Sequence, residues 1–217
     1  MESSSSIFKE LLPTLKQDGF KIYKNNLILS PINDLLRGFC FDKHDTRLYV
    51  HLFVQPLYVP MAYQNLSYGW RLKDERSGLE QFLIDDEHLN DSVIEIKRLV
   101  DENKKTLLAT SNALSFYDTF LISDAQILAN RTDKDIRFQE AFALTKSYLY
   151  PETTCSNVET FLQKWEMDSN KGSTWMQELK TNMLQLKKSC NDTIKIGEQF
   201  TQWVSYTKSR LRLIDSL

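Results

Sequence analysis

Residues 36–55, LRGFCFDKHDTRLYVHLFVQ, carry the clearest structural pattern in the chain. Apolar and polar side chains alternate in residues 36–42 and again in residues 47–55, and a period of two is typical of β-strands. A tight turn centred on His44 and Asp45 would pair Asp42 with Arg47, which predicts an antiparallel hairpin. One face, expected in the core, holds Phe39, Phe41, Leu48, Val50, Leu52 and Val54. The other face holds Cys40, Tyr49, His51, Phe53 and Gln55.

Shorter elements surround this hairpin. Apolar residues at helical spacing in residues 7–15 predict an amphipathic helix that is kinked or split at Pro13 and ends at Gly19. Short strands are expected at residues 20–24 and 27–30, around a turn at residues 25–26, and a further strand at residues 66–72. Pro56 and Pro60 end the ladder or restrict it to a sheet edge. The sequence therefore predicts a small antiparallel sheet with an N-terminal helix.

After residues 76–78 the apolar period changes from two to the period of an α-helix. We place a domain boundary there, so that residues 1–77 form an α+β N-terminal region and residues 78–217 an all-helical C-terminal region. Heptad-like seams over residues 79–121 and 176–211 predict long helices, which we expect to pack on one another as in a bundle. Polar residues that interrupt the seams mark the expected breaks: Asp86, Asn103, Thr193 and Gly197.

The composition is that of an ordinary globular protein. Of the 217 residues, 41% are hydrophobic and 26% are charged, which argues against a wholly disordered or fibrous chain. With 27 basic and 29 acidic side chains the formal net charge is -2. The whole chain is therefore not expected to attract nucleic acid or an anionic membrane electrostatically.

The cysteines and the N-terminus indicate a cytoplasmic protein. Cys40, Cys155 and Cys190 are an odd number at wide spacing without a CxxC pair, so we expect reduced thiols rather than a disulfide framework or a zinc site. The first residues lack the cationic start and apolar run of a secretory leader, and no stretch approaches about 18 apolar residues. We therefore expect neither export nor membrane association.

Cys40, Tyr49 and His51 form the first candidate site. The predicted register brings Cys40 and His51 to one face of adjacent strands, one diagonal step apart, with Tyr49 beside them. A thiol next to an imidazole is the arrangement of a nucleophilic dyad, and such a face would also suit a small ligand. A dyad needs an orienting group and an anion-stabilising donor, which the sequence does not offer. A sheet face covered by helices is therefore the favoured interpretation.

No metal, cofactor or catalytic motif is recognised. Asp85 and His88 have the spacing of two ligands on a helix, but one such pair is insufficient, and a solvated helix face is favoured. Glycine-rich phosphate-binding motifs are missing from a chain with six glycines. We therefore predict no catalytic residues, no metal and no cofactor.

The C-terminal basic stretch is the candidate nucleic-acid site. Lys208, Arg210 and Arg212 follow Trp203 and Tyr206, and basic groups interleaved with aromatic rings can contact phosphates and bases. Basic residues near a helix C-terminus also complement the helix macrodipole, and this second explanation is favoured.

The N-terminal third carries a family resemblance. Its amphipathic helix ends in Gly19, Phe20 and Lys21, strands follow, and an aromatic-rich strand, residues 48–54 (LYVHLFV), leads into residues 55–57 (QPL). This pattern resembles a group of bacterial domains of unknown function found among immunity-like and defence-associated proteins. The resemblance implies a small protein-binding module rather than an enzyme.

Three functional hypotheses follow from the sequence. The leading one is a non-enzymatic protein-interaction protein, such as a bacterial immunity or multi-subunit defence component, which binds another protein chain or itself through the helical region. The second is an enzyme or small-ligand binder that uses Cys40, Tyr49 and His51. The third is a nucleic-acid accessory protein that uses Lys208, Arg210 and Arg212. The pattern leaves open whether the two seams pair with each other or with another chain.

Overall fold

The structure, a computed structural model, describes residues 2–24, 26–122 and 135–213. It confirms the α+β class, with an N-terminal helix, a small antiparallel sheet and a helical region that follows. The chain forms two compact units: unit 1 comprises Met1–Gln55 and Tyr68–Ser111, and unit 2 comprises Pro56–Ser67 and Asn112–Leu217. The expected boundary after residue 77 falls within unit 1. The chain therefore enters unit 2 early, returns to unit 1, and then completes unit 2.

Unit 1 is an antiparallel sheet with its helices. Its elements are α1 (Glu2–Gln17), β1 (Lys21–Lys24), β2 (Leu27–Ile32), β3 (Leu35–His44), β4 (Arg47–Pro56), β5 (Gly69–Arg71), β6 (Phe82–Leu83) and α2 (Leu89–Ala109). The strand order is β1-β2-β3-β4-β5, and β6 also pairs with β4. β5 and β6 share one edge of β4, because His51 pairs with Arg71 and Leu48 pairs with Phe82.

The predicted hairpin is present, with its turn shifted by one residue. β3 ends at His44 and β4 begins at Arg47, so the turn residues are Asp45 and Thr46. Asp45 has a φ of 52°, a left-handed conformation that aspartate adopts more readily than most residues. The face expected in the core is buried: Phe39, Phe41, Leu48, Val50, Leu52 and Val54. Cys40, Phe53 and Gln55 of the other face are buried as well, so the period of two predicted the core face correctly but did not show that much of the second face is also covered.

Helix α1 ends where the sequence predicted. Gly19 has a φ of 81°, and its amide donates to the carbonyl oxygen of Lys16 at 3.1 Å. The amide of Phe20 donates to the carbonyl oxygen of Leu15, also at 3.1 Å, which completes a Schellman motif. Pro13 lies within α1, which runs as one element from Glu2 to Gln17 and is not split there. The turn predicted at residues 25–26 lies partly outside the described residues, because residue 25 is not described.

Unit 2 is helical, and its helices are shorter than the seams suggested. Its elements are α3 (Ala113–Phe116), a π-helical segment (Tyr117–Ile122), α4 (Ile136–Leu149), a 3-10 turn (Pro151–Thr153), α5 (Thr154–Met167), α6 (Thr174–Lys187) and α7 (Thr193–Arg210). The first seam does not form one helix: it includes β6, α2 and α3. The second seam divides just before Thr193, an expected break, whereas Gly197 continues α7. In the described ranges, no helix is both long and apolar enough to span a bilayer.

The segment Pro56–Ser67 is an integral part of unit 2. The ring of Tyr58 stacks on the ring of Tyr148 with centroids 4.3 Å apart and meets the ring of Phe200 edge-on at 6.2 Å. Its hydroxyl forms a 3.0 Å hydrogen bond with the hydroxyl of Thr145. The hydroxyl of Thr207 donates to the carbonyl oxygen of Val59 at 3.3 Å. Residues that follow the sheet strand thus pack into the helical core.

Two of the three cysteines form a disulfide, so the expectation of reduced thiols is wrong for this pair. Cys155, at the start of α5, is bonded to Cys190, which follows α6, across a sequence separation of 35 residues. Such a wide separation carries no sequence motif, because the pair meets only when α5 packs on α6. Cys40 remains a free, buried thiol.

Reduction of this disulfide is expected to lower the free energy of unfolding of unit 2 by about 2–4 kcal/mol, since the cross-link restricts the unfolded chain. Urea unfolding with and without a reductant measures the effect. A Cys155→Ala/Cys190→Ala variant is the control, because a reductant should leave its unfolding curve unchanged. An unchanged curve for the wild type would contradict the prediction.

Candidate functional site

A groove in unit 2 runs between α6 and α7, and we call it the amide groove. Its volume is about 550 Å³. The lining residues are Pro60, Met61, Ala62, Tyr63, Arg137, Glu178, Leu179, Asn182, Gln185, Gln199, Gln202, Trp203, Tyr206 and Arg210. The stretch of α7 from Gln199 to Arg210 corresponds to about 16 Å of helix, at 1.5 Å per residue. The groove is therefore elongated and rich in amide side chains.

The helix periods explain how this lining arises. Leu179 and Met183 of α6 and Phe200 and Trp203 of α7 are buried, and the amide side chains occupy the positions beside these apolar stripes. Across the two helices, Gln185 Nε2 donates to Gln199 Oε1 at 2.8 Å. The groove wall is thus the polar margin of the buried stripes of α6 and α7.

Arg137, on the first turn of α4, is held in place by several groups of unit 2. Its Nη2 donates to the hydroxyl of Tyr63 at 2.6 Å. Its guanidinium carbon lies 4.8 Å from the ring centre of Trp175 and 5.8 Å from that of Tyr63. Its Nη1 lies 3.4 Å from Glu140 Oε2, longer than the usual distance in a strong ion pair. The guanidinium is thus held by a tyrosine hydroxyl and two aromatic rings in addition to its acidic partner.

Glu140 is a buried carboxylate behind this arginine. Its exposed fraction is 0%, and Oε1 has no hydrogen-bond partner among the residues that the structure describes. Burial raises the pKa of Glu140 to about 7, although Arg137 and the amide of Asn182 favour the charged form; Glu178 opposes it. Asn182 also lines the groove, so the charge of Glu140 is linked to the groove surface.

Glu140 should make stability depend on pH. The folded state binds the proton of Glu140 more tightly than the unfolded state does. The contribution of this proton to the free energy of unfolding is therefore complete below about pH 4.5 and is lost as the pH rises through about 7. The loss should amount to about 3 kcal/mol. We expect the wild type to lose stability relative to Glu140→Gln between pH 5 and pH 8, as measured by denaturant unfolding at both values. Parallel pH profiles of the two proteins would show that Glu140 does not titrate in this range.

The predicted sheet-face residues belong to unit 1 and are not among the residues that line the amide groove. Arg71 Nε donates to His51 Nε2 at 3.3 Å, and the Arg71 guanidinium lies 5.0 Å from the ring centre of Tyr49. The Tyr49 hydroxyl donates to Gln81 Oε1 at 3.1 Å. Tyr49 and His51 therefore share Arg71 as a partner.

Ionisation on this sheet face does not favour a nucleophilic dyad. Burial and the charge of Asp42 raise the pKa of Cys40 to about 11, so its thiol stays protonated near neutral pH. Burial and the charge of Arg71 lower the pKa of His51, despite the opposing charges of Asp42 and Glu80. Asn26 Nδ2 donates a hydrogen bond to Cys40 Sγ at 4.0 Å.

Asp85 and His88 form a local pair before α2. His88 Nδ1 lies 2.6 Å from Asp85 Oδ1, which also accepts from the backbone amide of His88 at 3.0 Å. Within the described ranges, no group of three or more His, Cys, Asp or Glu side chains is arranged to hold a metal ion. Both contacts lie within the turn that precedes α2, so the pair has a local structural explanation.

The C-terminal basic residues do not lie together. Lys208 and Arg210 are two positions apart on α7, about 200° around the helix, so they point in different directions. Arg212 follows the helix with a φ of 56°. Of the three, Arg210 alone lines the amide groove as the structure describes it.

Sequence reasoning had already singled out Arg210, and it missed Arg137, Glu140 and Tyr63. One available signal was Glu140 itself, which stands four residues from both Ile136 and Leu144 on the buried stripe of α4. A carboxylate at such a position interrupts the apolar pattern and indicates a buried polar site. No family model, curated protein or solved structure matches the chain.

Proposed function

We propose that this chain is a non-enzymatic protein-interaction protein that binds a segment of another polypeptide in the amide groove. The observation that carries the proposal is the lining itself, in which four amide side chains of α6 and α7 stand with two exposed aromatic rings, those of Tyr63 and Tyr206. Asn and Gln side chains offer both donors and acceptors, which complement the N–H and C=O groups of a peptide.

The aromatic residues support a binding surface. Tyr63 and Tyr206, which line the groove, are 49% and 47% exposed, and Trp175 beside Arg137 is 37% exposed. Tyrosine, tryptophan and arginine are the residues most enriched at energetically important positions of interfaces. An elongated groove with such residues along its rim suits an extended or helical segment.

The groove chemistry favours binding over catalysis. Its described lining contains no Cys, His, Ser or Thr side chain, and these are the usual nucleophiles and the commonest general base. The protonated thiol of Cys40 counts against an enzyme that uses Cys40, Tyr49 and His51. The separation of Lys208 from Arg210 counts against the nucleic-acid hypothesis. Both stay predictions.

The proposal has finer parts that concern the pathway, the form of the assembly and the compartment. A role in bacterial immunity or in a multi-subunit defence system rests on the resemblance of the N-terminal third. Self-association through the helical unit is the other form of the same proposal. Cytoplasmic placement stays a prediction, and the Cys155–Cys190 disulfide is more typical of an oxidising compartment.

Groove-dependent co-purification tests the proposal. The tagged full chain is purified at native expression, its partners are identified by mass spectrometry, and its mass is measured by light scattering. A Gln202→Arg variant places a bulky charge in the groove, and Ile194→Ala on the exposed side of α7 is the matched control, since Ile194 is 73% exposed outside the lining. We expect a stoichiometric partner, or a dimer, with the wild type and the control but not with Gln202→Arg. A partner retained equally by both variants, or a monomer with nothing bound, would refute the proposal.

A further inference from the structure

We infer that the Cys155–Cys190 disulfide is a redox switch for the amide groove: a dithiol reductant opens the bond, and the groove wall on α7 then loosens. This inference rests on the proposed function of the groove, because it adds a control to the same binding site. The oxidised protein is the binding form, and the reduced protein binds more weakly.

The disulfide ties the link between α6 and α7 to the start of α5. α6 ends at Lys187 and α7 begins at Thr193, so Cys190 stands in the link of residues 188–192. Cys155 lies on the first turn of α5, directly after the 3-10 turn. Both helices that line the groove therefore reach the disulfide within a few residues of chain.

The two walls of the groove rest on different parts of unit 2. α6 packs on α5, whereas α7 packs on α4 and on the 3-10 turn Pro151–Thr153. The opening between α6 and α7 therefore depends on how these two parts are joined at the link. The disulfide joins them there, since Cys155 follows the 3-10 turn and Cys190 precedes α7.

The noncovalent ties near the link are exposed to solvent. Lys187 Nζ lies 3.4 Å from Glu159 Oε1, and the two side chains are 44% and 59% exposed. An exposed ion pair of this kind contributes little to stability. The hydrogen bond from Gln185 to Gln199, which joins the two walls directly, is exposed as well. The disulfide is therefore the strong constraint on the link end of the groove.

The surroundings of both sulfurs suit thiol–disulfide exchange. Cys155 and Cys190 are each partly exposed, and Lys187 and Lys188 beside Cys190 attract an anionic thiolate. A thiolate of the dithiol attacks Cys190 Sγ, the S–S bond breaks, and its electron pair leaves on Cys155 Sγ, which takes a proton from solvent. Peptide N–H groups at the start of α5 favour this leaving group. The second thiol of the reductant then displaces Cys190, so the protein gains two thiols and the reductant becomes a disulfide.

The exposure of the bond favours a switch over a permanent cross-link. Structural disulfides resist the cellular thiol pool, whereas exposed disulfides are the labile and regulatory ones. In a reducing compartment the disulfides that do form are usually transient and redox-sensing. A reversible bond is therefore compatible with the predicted cytoplasmic placement.

The test follows the indole N–H signals of ¹⁵N-labelled full-length protein while dithiothreitol, a dithiol, is added in native buffer. Trp203 of α7 lines the groove. The indole of Trp165 in α5 donates to the carbonyl oxygen of Met176 in α6 at 2.9 Å, so its signal reports the packing of these two helices. Trp70 of unit 1 is the reference. Alkylation followed by mass spectrometry counts the reduced thiols.

We expect dithiothreitol to reduce the disulfide without denaturant and to shift the Trp203 signal, while the signals of Trp165 and Trp70 stay in place. Oxidised glutathione should restore the Trp203 signal. The partner found by co-purification, or the dimer, should bind about tenfold more weakly to the reduced protein, because a loosened wall leaves a smaller fraction of molecules competent to bind.

The Cys155→Ala/Cys190→Ala variant is the control. Its signals should not respond to dithiothreitol, and its Trp203 signal should match that of the reduced wild type. Should this variant fail to fold, the comparison of the oxidised and reduced wild type decides the matter alone.

A disulfide that resists dithiothreitol in native buffer, or a Trp203 signal that does not shift, would overturn the switch. A shift of Trp165 together with Trp203 would also overturn it, because the cross-link would then be structural. A partner that binds the reduced protein equally well would overturn the control of binding while leaving the proposed function intact. A monomer with nothing bound in either state would refute the proposed function, and the Trp203 signal would still decide whether the disulfide sets the groove.

Discussion

Substitution of Gly69 by alanine is expected to lower the free energy of unfolding of unit 1 by about 4 kcal/mol or more. Gly69 of β5 pairs with Phe53 of β4, and a Cβ atom at position 69 would overlap the carbonyl oxygen of Leu52 and the Cα of Phe53. Both atoms belong to the backbone, so no change of side-chain rotamer can relieve the overlap. Chemical denaturation followed by circular dichroism measures the loss.

Two further glycines give the controls for this prediction. Gly38 of β3 makes a similar close approach, to the carbonyl oxygen of Ile28, so Gly38→Ala should be comparably destabilising. Gly197 lies within α7, and an added Cβ there has no atom within 4 Å. Gly197→Ala should therefore stabilise the protein by about 0.5–1 kcal/mol. If Gly69→Ala and Gly197→Ala had the same stability, the close contact between β4 and β5 would be refuted.

The second large effect is expected for Arg37→Met, which should lower the free energy of unfolding of unit 1 by about 3–5 kcal/mol. The guanidinium of Arg37 is buried, and its Nη1 donates to the carbonyl oxygens of Leu107, Leu108 and Thr110 at 2.7, 3.1 and 3.2 Å. These carbonyls stand at the C-terminus of α2, where no further turn of helix follows, and that of Leu107 also accepts from the amide of Thr110 at 3.2 Å. The cation also complements the negative end of the helix dipole. Methionine would fill much of the space but remove the guanidinium donor from all three oxygens.

Arg47→Met on the neighbouring strand is the matched control for Arg37, because Arg47 is exposed. It should change stability by no more than about 0.5 kcal/mol. Arg37→Lys should lie between the two, since an ammonium keeps the charge but not the geometry of the guanidinium. Equal stability of Arg37→Met and Arg47→Met would show that Arg37 does not cap α2. Amide hydrogen exchange near residue 107 measures the fraying of the helix end directly.

The fold of unit 1 was largely readable from its sequence because its signals are local. The alternation in residues 36–55 predicted both strands and the buried face, and Gly19 predicted the end of α1. The turn was misplaced by one residue, since both His44 and Asp45 suit a turn and the pattern does not say which adopts the positive φ. The strand at Phe82 was missed, because two residues are too few to show a period.

The candidate site was mostly hidden because its parts are distant in sequence. Tyr63, Arg137 and Tyr206 belong to three segments that only folding brings together. The seam of residues 176–211 predicted which residues of α6 and α7 are buried, but a periodic pattern says nothing about which neighbouring polar residues form a groove. Pro56 ends β4, as predicted, but no local pattern shows that the segment from Pro56 to Ser67 belongs to unit 2.

The placement of Pro56–Ser67 in unit 2 has a consequence for synthesis of the protein. Tyr58 leaves the ribosome long before Tyr148 and Phe200, the rings that enclose it. At about 5–20 residues per second, the intervening chain takes on the order of ten seconds to translate. During that interval Leu57, Tyr58 and Val59, which are fully buried in the finished protein, have no native partners from α4 or α7 and form an apolar segment that a nascent-chain chaperone can recognise. Ribosome-bound intermediates that end before residue 200 should therefore bind such a chaperone, and release it once α7 has emerged.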